Sequence, residues 1–147
     1  MIRFAATLAL PLLLGPWIVA CAHPADAPPA PAGLVGTGWQ LVRILSMDDI
    51  VAVPDDGSHY TLWFAKDGGL AVRADCNRGH GRWTSVGPSQ LEIGPLALTR
   101  AMCPPESLDS RFVRDLGFVR SYVLQDGHLF LATMADGGLY EFEPLAP

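Results

Sequence analysis

The segment Cys76-Asn77-Arg78-Gly79-His80-Gly81, together with Cys103, holds the most reactive side chains of this 147-residue sequence, which has three cysteines and four histidines. Cys76 and His80 are the residue types of a thiolate–imidazolium nucleophile. That chemistry also needs a group to orient the ring and an oxyanion pocket. The same pair, with Cys103 and either His59 or His128, could hold a soft metal ion through sulfur and imidazole nitrogen. The surrounding sequence supports neither reading. Cys-x3-His is not a zinc spacing, and G-x-S-x-G, phosphate-loop and H-E-x-x-H patterns do not occur. Asp48, Asp49, Asp55 and Asp56 share a loop but lack the glutamate that completes a calcium loop, so they read as a solvated segment. The expectation is no catalytic residue, no metal and no cofactor.

Elements must position whatever these residues do, and the chain has room for one domain. Half of its residues are hydrophobic and 17% are charged, which disfavours disorder. The formal charge is −5, and the basic residues are scattered along the sequence, so nucleic acid is not an expected partner. Residues 1–20 read as a secretion signal. Arg3 starts it, and a run to Val19 follows that is uncharged but too short and too proline-broken to span a bilayer. Ile18-Val19-Ala20-Cys21 resembles the bacterial lipobox, which implies acylation of Cys21 and a permanent membrane anchor. Ordinary secretion, with cleavage at a nearby alanine and a free Cys21 thiol, is the other reading. Ala22, rather than Asp, after the cysteine implies the outer membrane, facing the periplasm. The Pro/Ala-rich stretch 21–33 reads as an extended tether reaching roughly 35–40 Å.

Residues 34–147 read as a mainly β, α+β domain. Its expected form is an antiparallel curled sheet or partly open β-barrel of about eight or nine short strands, with one α-helix near 106–119. Strands are expected at 39–45, 60–64, 70–74, 82–84, 90–93, 96–99, 121–124, 128–133 and 139–142, with Trp39, Leu41 and Arg43 on one face of the first. Lys66-Asp67-Gly68-Gly69 and Gln125-Asp126-Gly127 read as hairpin turns. Leu108, Phe112, Leu116 and Val119 recur at helical spacing, with Pro105 and Ser107 at the helix start. That helix should cover the sheet's apolar face.

Cys76-Asn77-Arg78-Gly79-His80-Gly81 and Thr99-Arg100-Ala101-Met102-Cys103 resemble the Cys-Asn-Arg-x-x-Gly and Thr-Arg-x-Met-Cys segments of the META domain, the heat-shock protein HslJ family. The likeness runs from Trp39-x-Leu41, through Phe64 and Asp67-Gly68, to Asp136-Gly137 and Phe142. Its motif residues are Asn77, Arg78, Gly81, Thr99, Arg100 and Met102. Asp75 stands where the family usually has glycine, a strained choice if that backbone has φ > 0. The resemblance implies a small envelope lipoprotein linked to heat shock, novobiocin resistance and motility or secretion, with no agreed enzymatic activity.

An oxidising compartment favours pairing of thiols. With Cys21 acylated, Cys76 and Cys103 remain, 27 positions apart. A disulfide closing that loop contributes about 3–4 kcal/mol. Both motifs then read as structural corners, with Asn77 in a tight turn and Arg78 and Arg100 paired with Asp75 or helix carboxylates. The function expected is a non-enzymatic lipoprotein, anchored in the membrane through Cys21, that binds an envelope partner protein or an apolar ligand enclosed by the sheet. The competing class is an unrecognised hydrolase or metal-dependent enzyme using Cys76 and His80, with Trp83, Tyr122 and Tyr140 lining its cleft.

Overall fold

A computed structural model describes residues 33–134 and 138–145. The expected signal segment 1–20, Cys21, most of the proline-rich stretch and Asp136-Gly137 lie outside the described residues. The strands form wherever apolar residues alternate. In β3 (Tyr60–Phe64), Tyr60, Leu62 and Phe64 point inward, and in β4 (Gly69–Ala74), Leu70, Val72 and Ala74 do the same. The two pair as a hairpin through a turn in which Gly68 takes φ 79°, open to a residue without Cβ. β1 (Thr37–Leu45) and β2 (Val51–Ala52) precede them, joined to β3 by the short 3-10 turn Gly57–His59. β5 (Asn77–Thr84), β6 (Glu92–Ile93) and β7 (Ala97–Leu98) follow, then the helix α1 (Asp109–Leu116). β8 (Val119–Gln125), β9 (His128–Thr133) and β10 (Leu139–Pro144) complete the chain.

Every ladder is antiparallel, as the short connections require. The order is β6-β5-β4-β3-β1-β10-β9-β8, with β2 added to β1 and β7 to β5. The ends of this sheet meet. Gln90 bridges Ser121, Leu91 N–H donates to the Arg120 carbonyl at 3.1 Å, and Tyr122 N–H donates to the Ser89 carbonyl at 2.9 Å. The result is a nearly closed barrel with a single helix, the architecture expected from the sequence.

Side chains fill the interior. Trp39, Phe64, Phe112, Tyr140 and Phe142 are all fully buried. Phe112 of α1 meets Tyr60 edge-on at 5.6 Å, and Phe64 meets Trp83 edge-on at 5.3 Å. Leu116 is equally buried and Leu108 packs against the same cluster, so the helix plugs the barrel.

Two local expectations are corrected. Arg43 does not share the face of Trp39 and Leu41. A bulge between Leu41 and Arg43 inserts one residue against β10, turning Arg43 outward and Ile44 into the core. The helix is also shorter than 106–119. Ser107 Oγ accepts from Asp109 N–H at 3.2 Å and Tyr60 Oη accepts from Leu108 N–H at 2.9 Å, so side chains take these donors before the first helical turn. At the other end, Gly117-Phe118 turn the chain and Val119 is buried as the first residue of β8, not on the helix. Among the described residues, no helix is long and apolar enough to cross a membrane.

Candidate functional site

β4 and β5 are joined by Asp75-Cys76, and Asp75 takes φ 54° there. The left-handed conformation costs a residue with Cβ about 1 kcal/mol or more. Asp75 is held in it from several sides. Its N–H donates to the His59 carbonyl at 2.7 Å, its own carbonyl accepts from Arg73 Nε at 3.2 Å, and its carboxylate lies 3.2 Å from His59 Nδ1. The turn aims Cys76 at the segment that enters the helix, and a disulfide joins it to Cys103.

Asn77 completes this corner. It is buried, and its amide is engaged at both ends. Oδ1 accepts from Ala101 N–H at 2.8 Å and from Thr99 Oγ1 at 3.0 Å. Nδ2 donates to the Ala101 carbonyl at 3.1 Å and to Asp109 Oδ2 at 3.4 Å, with Cys103 Sγ at 3.3 Å. Thr99 Oγ1 in turn accepts from Arg78 N–H at 3.0 Å. Both motifs therefore clamp the start of β5 to the helix approach, with Asn77 bonding across the corner rather than within its own turn. Gly79 and Gly81 have a different role. A Cβ on Gly79 would stand 2.7 Å from the Ala97 carbonyl oxygen, and one on Gly81 would stand 2.7 Å from Leu96. Residues 95–98 can cross β5 only because those positions are bare.

A cleft of about 270 Å³ opens beside the corner, between the 53–56 loop and the 104–108 segment. His59 stands at its wall between Asp75 and Asp56, whose carboxylate is 3.7 Å away. Hydrogen bonds from Ser58 hold the Asp56 carboxyl below its usual range. Asp55 and Glu106 add negative charge. The Tyr60 and Ser107 hydroxyls in the cleft bond each other at 3.1 Å and accept backbone N–H groups, so neither is coupled to an imidazole. This arrangement sets an imidazole between two carboxylates, but it contains no activated nucleophile.

The chemical alternatives are not assembled. The Cys76 sulfur is consumed by the disulfide, and His80 is exposed on the outer side of β5, about 10 Å of extended chain from the turn. His128 lies on β9, separated from β5 by four strands along the sheet, with Nδ1 3.0 Å from Glu141. Among the described residues, no group of three or more His, Cys, Asp or Glu is placed to hold a metal. Trp83 and Tyr140 are core residues, and Tyr122 packs against the same core. Arg78 and Arg100 are exposed and, among the described residues, form no ion pair. Asp75 is taken by His59, and Asp109 by Asn77. Met102 is 99% exposed, so its side chain contributes nothing to the corner.

Two features were missed from the sequence. Asp115 is buried on α1, accepts the Tyr140 hydroxyl and lies 2.9 Å from Arg114 Nε. The basic residues, scattered in sequence, are brought together: Arg73 of β4 stands directly opposite Arg78 of β5, with His80 and Arg82 further along the same outer face. The alternation Arg78-Gly79-His80-Gly81-Arg82 carried that signal, because a period of two puts both arginines and the histidine on one side of a strand.

The META domain family model matches residues 32–146. Among solved structures, the chain is similar to a protein from Burkholderia xenovorans studied by NMR, with a TM-score of 0.65 and 18% identity, over 85% of this chain and 98% of that one. It is also similar to a DUF4847 family protein from Bacteroides vulgatus, with a TM-score of 0.53 and 14% identity, over 75% of this chain and 93% of that one. At these identities the likeness is one of fold. No curated protein matches the chain.

Proposed function

The chain belongs to the META domain family, and on that premise we propose that it is an envelope lipoprotein, anchored through Cys21, whose domain acts by binding a partner protein. The META domain is not a known enzyme family. One observation carries the binding reading: the motif residues with the most reactive side chains are spent on structure. Cys76, Asn77, Thr99 and Cys103 bond one another and the helix approach, leaving no free nucleophile among them. A disulfide fits an oxidising compartment, which supports the secreted reading.

The filled interior favours a partner on the outside over an apolar ligand within. The segment after β1 offers one surface. Met47, Ile50, Val51 and Val53 each expose half or more of their area within seven residues, as an interaction surface does. Such a lipoprotein would support the envelope under heat or drug stress, or in secretion.

The test has two parts. Mass spectrometry of the mature N-terminal peptide should find acyl chains on Cys21, and Cys21→Ala should move the protein from the membrane to the soluble fraction. An unmodified N-terminus elsewhere overturns the anchor. In a strain lacking the chromosomal copy, Ile50→Asp should lose complementation of heat or novobiocin sensitivity while melting like the parent. Full complementation by that variant overturns this binding surface.

A further inference from the structure

The chain carries a net charge of −5, yet the outer face of β3, β4 and β5 is basic. Arg73 and Arg78 are directly paired across the antiparallel ladder, which sets their Cβ atoms about 5 Å apart. Like charges in that position destabilise a sheet. His80 follows two residues along β5, opposite Ala71, and Arg82 two further, opposite Gly69. These small partners leave the His80 ring and the Arg82 guanidinium uncovered by a cross-strand side chain.

Among the described residues none of these side chains is in an ion pair, although the Asp56 carboxylate lies near enough to Arg73 to feel its charge. Arg73 donates to the carbonyls of Ser58 and Asp75, and Arg82 to that of Asp67. Bonds to uncharged oxygens position a guanidinium without cancelling its charge. Among the described residues, neither these arginines nor Lys66 and Arg100 at the margins form an ion pair within 4.0 Å. Asp56, Asp67 and Asp75 belong to the turns at the ends of the strands, Glu92 to the neighbouring β6, and Glu143 to β10, beyond β1.

Trp63 completes the face. It points outward from β3 and is 48% exposed. A Cβ on Gly38 would stand 2.6 Å from its indole, so the ring lies along the sheet over a bare position on β1. A half-buried tryptophan beside several unpaired cations is the composition of a membrane–water interface. Lys66, in the turn between β3 and β4, packs over Gly36, immediately before β1, and adds one more cation at the margin of this face.

We propose that the outer face of β3–β5 docks on a bilayer rich in anionic headgroups, with Arg73, Arg78 and Arg82 over the phosphates and Trp63 at the headgroup level. The face is the flat outer side of a barrel rather than a groove, which suits a planar surface better than a nucleic-acid strand. The retained Arg73–Arg78 repulsion is relieved when phosphates come between the two guanidiniums. This goes beyond the anchor reading, and the test removes the anchor so that the two can fail separately.

The full chain carrying Cys21→Ser would be floated with phosphatidylcholine vesicles, with or without about 30% phosphatidylglycerol. Binding should require the anionic lipid and fall as salt rises. Each cation removed should weaken partition about fivefold, so Arg73→Gln/Arg78→Gln should lose about thirtyfold. That variant loses the Arg73 bonds to the Ser58 and Asp75 carbonyls along with the repulsive pair, so its melting is measured beside its binding. Should it misfold, Arg82→Gln alone, with an expected loss of about fivefold, carries the test. Arg120→Gln, which removes the same charge from β8, should stay within about twofold of the parent. The proposal is overturned by equal binding to both vesicles, by an equal loss in Arg120→Gln, or by tighter binding to a single-stranded oligonucleotide than to the anionic vesicles.

Discussion

Asp115 and Tyr140 show how one buried pair fixes the helix to the sheet. Asp115 sits on the inward side of α1, and the Tyr140 hydroxyl of β10 donates to its carboxylate. Arg111 and Arg114 supply positive charge at 3.6 and 2.9 Å. Burial, followed by the neighbouring carboxylate, pushes the Tyr140 phenol well above the usual tyrosine range. The sign of the linkage follows. Below about pH 10 both folded and unfolded states hold the phenolic proton, and the stabilisation is complete. Above it the unfolded chain ionises while the folded one does not, so stability falls as pH rises. Tyr140→Phe should cost about 1–3 kcal/mol at neutral pH, because the Asp115 carboxylate loses its donor. Urea unfolding at pH 7 and pH 11 checks both effects: the parent should lose more stability between those values than the variant. An equal loss in both would mean that the hydroxyl does not hold the proton this tightly.

At the scale of elements, the disulfide and the Asn77 amide tie the start of β5 to the approach of α1. The pairing of Cys76 with Cys103 was legible from cysteine number and compartment, whereas the clamp around Asn77 was not. Its four partners come from residues 99–109, and which loop crosses which strand end is a tertiary fact. The β1 bulge was hidden for a related reason. Trp39-x-Leu41-x-Arg43 reads as clean alternation until the partner strand imposes a slip of one residue. The helix was overextended because Val119 is apolar at the right spacing, and spacing alone cannot tell the last helical turn from the first residue of a buried strand. Cys103→Ser should lower stability by about 3–4 kcal/mol, which corresponds to roughly 10–15 °C for a domain this size. In strong reductant, variant and parent should melt together. Calorimetry in both conditions decides it, and equal melting in oxidant would remove the disulfide from the account.

At the scale of the molecule, closure depends on the two ends of the domain. β1 is bordered by β3 on one side and β10 on the other, so the first and last strands are neighbours across about a hundred residues. The alternating pattern made each strand legible, and the glycine turns gave the hairpins, but no local signal shows that β10 returns to β1. The basic outer face was invisible for the same reason, since its cations come from separate strands. The long return has consequences. β10 carries Tyr140 and Phe142, both fully buried against Phe112, and it bridges β1 to β9. A chain ending at Gly138 therefore exposes the apolar faces of two further strands and the seat of the helix. It should show no cooperative urea transition. Phe142→Ala, which keeps the ladder but empties the core, should unfold cooperatively with a loss of about 3–5 kcal/mol. Because the closing contacts are non-local, the parent should refold in milliseconds to seconds rather than microseconds. A truncated chain that still unfolds in one sharp transition would show that the other strands close without β10, and the barrel would then not depend on the pairing of its ends.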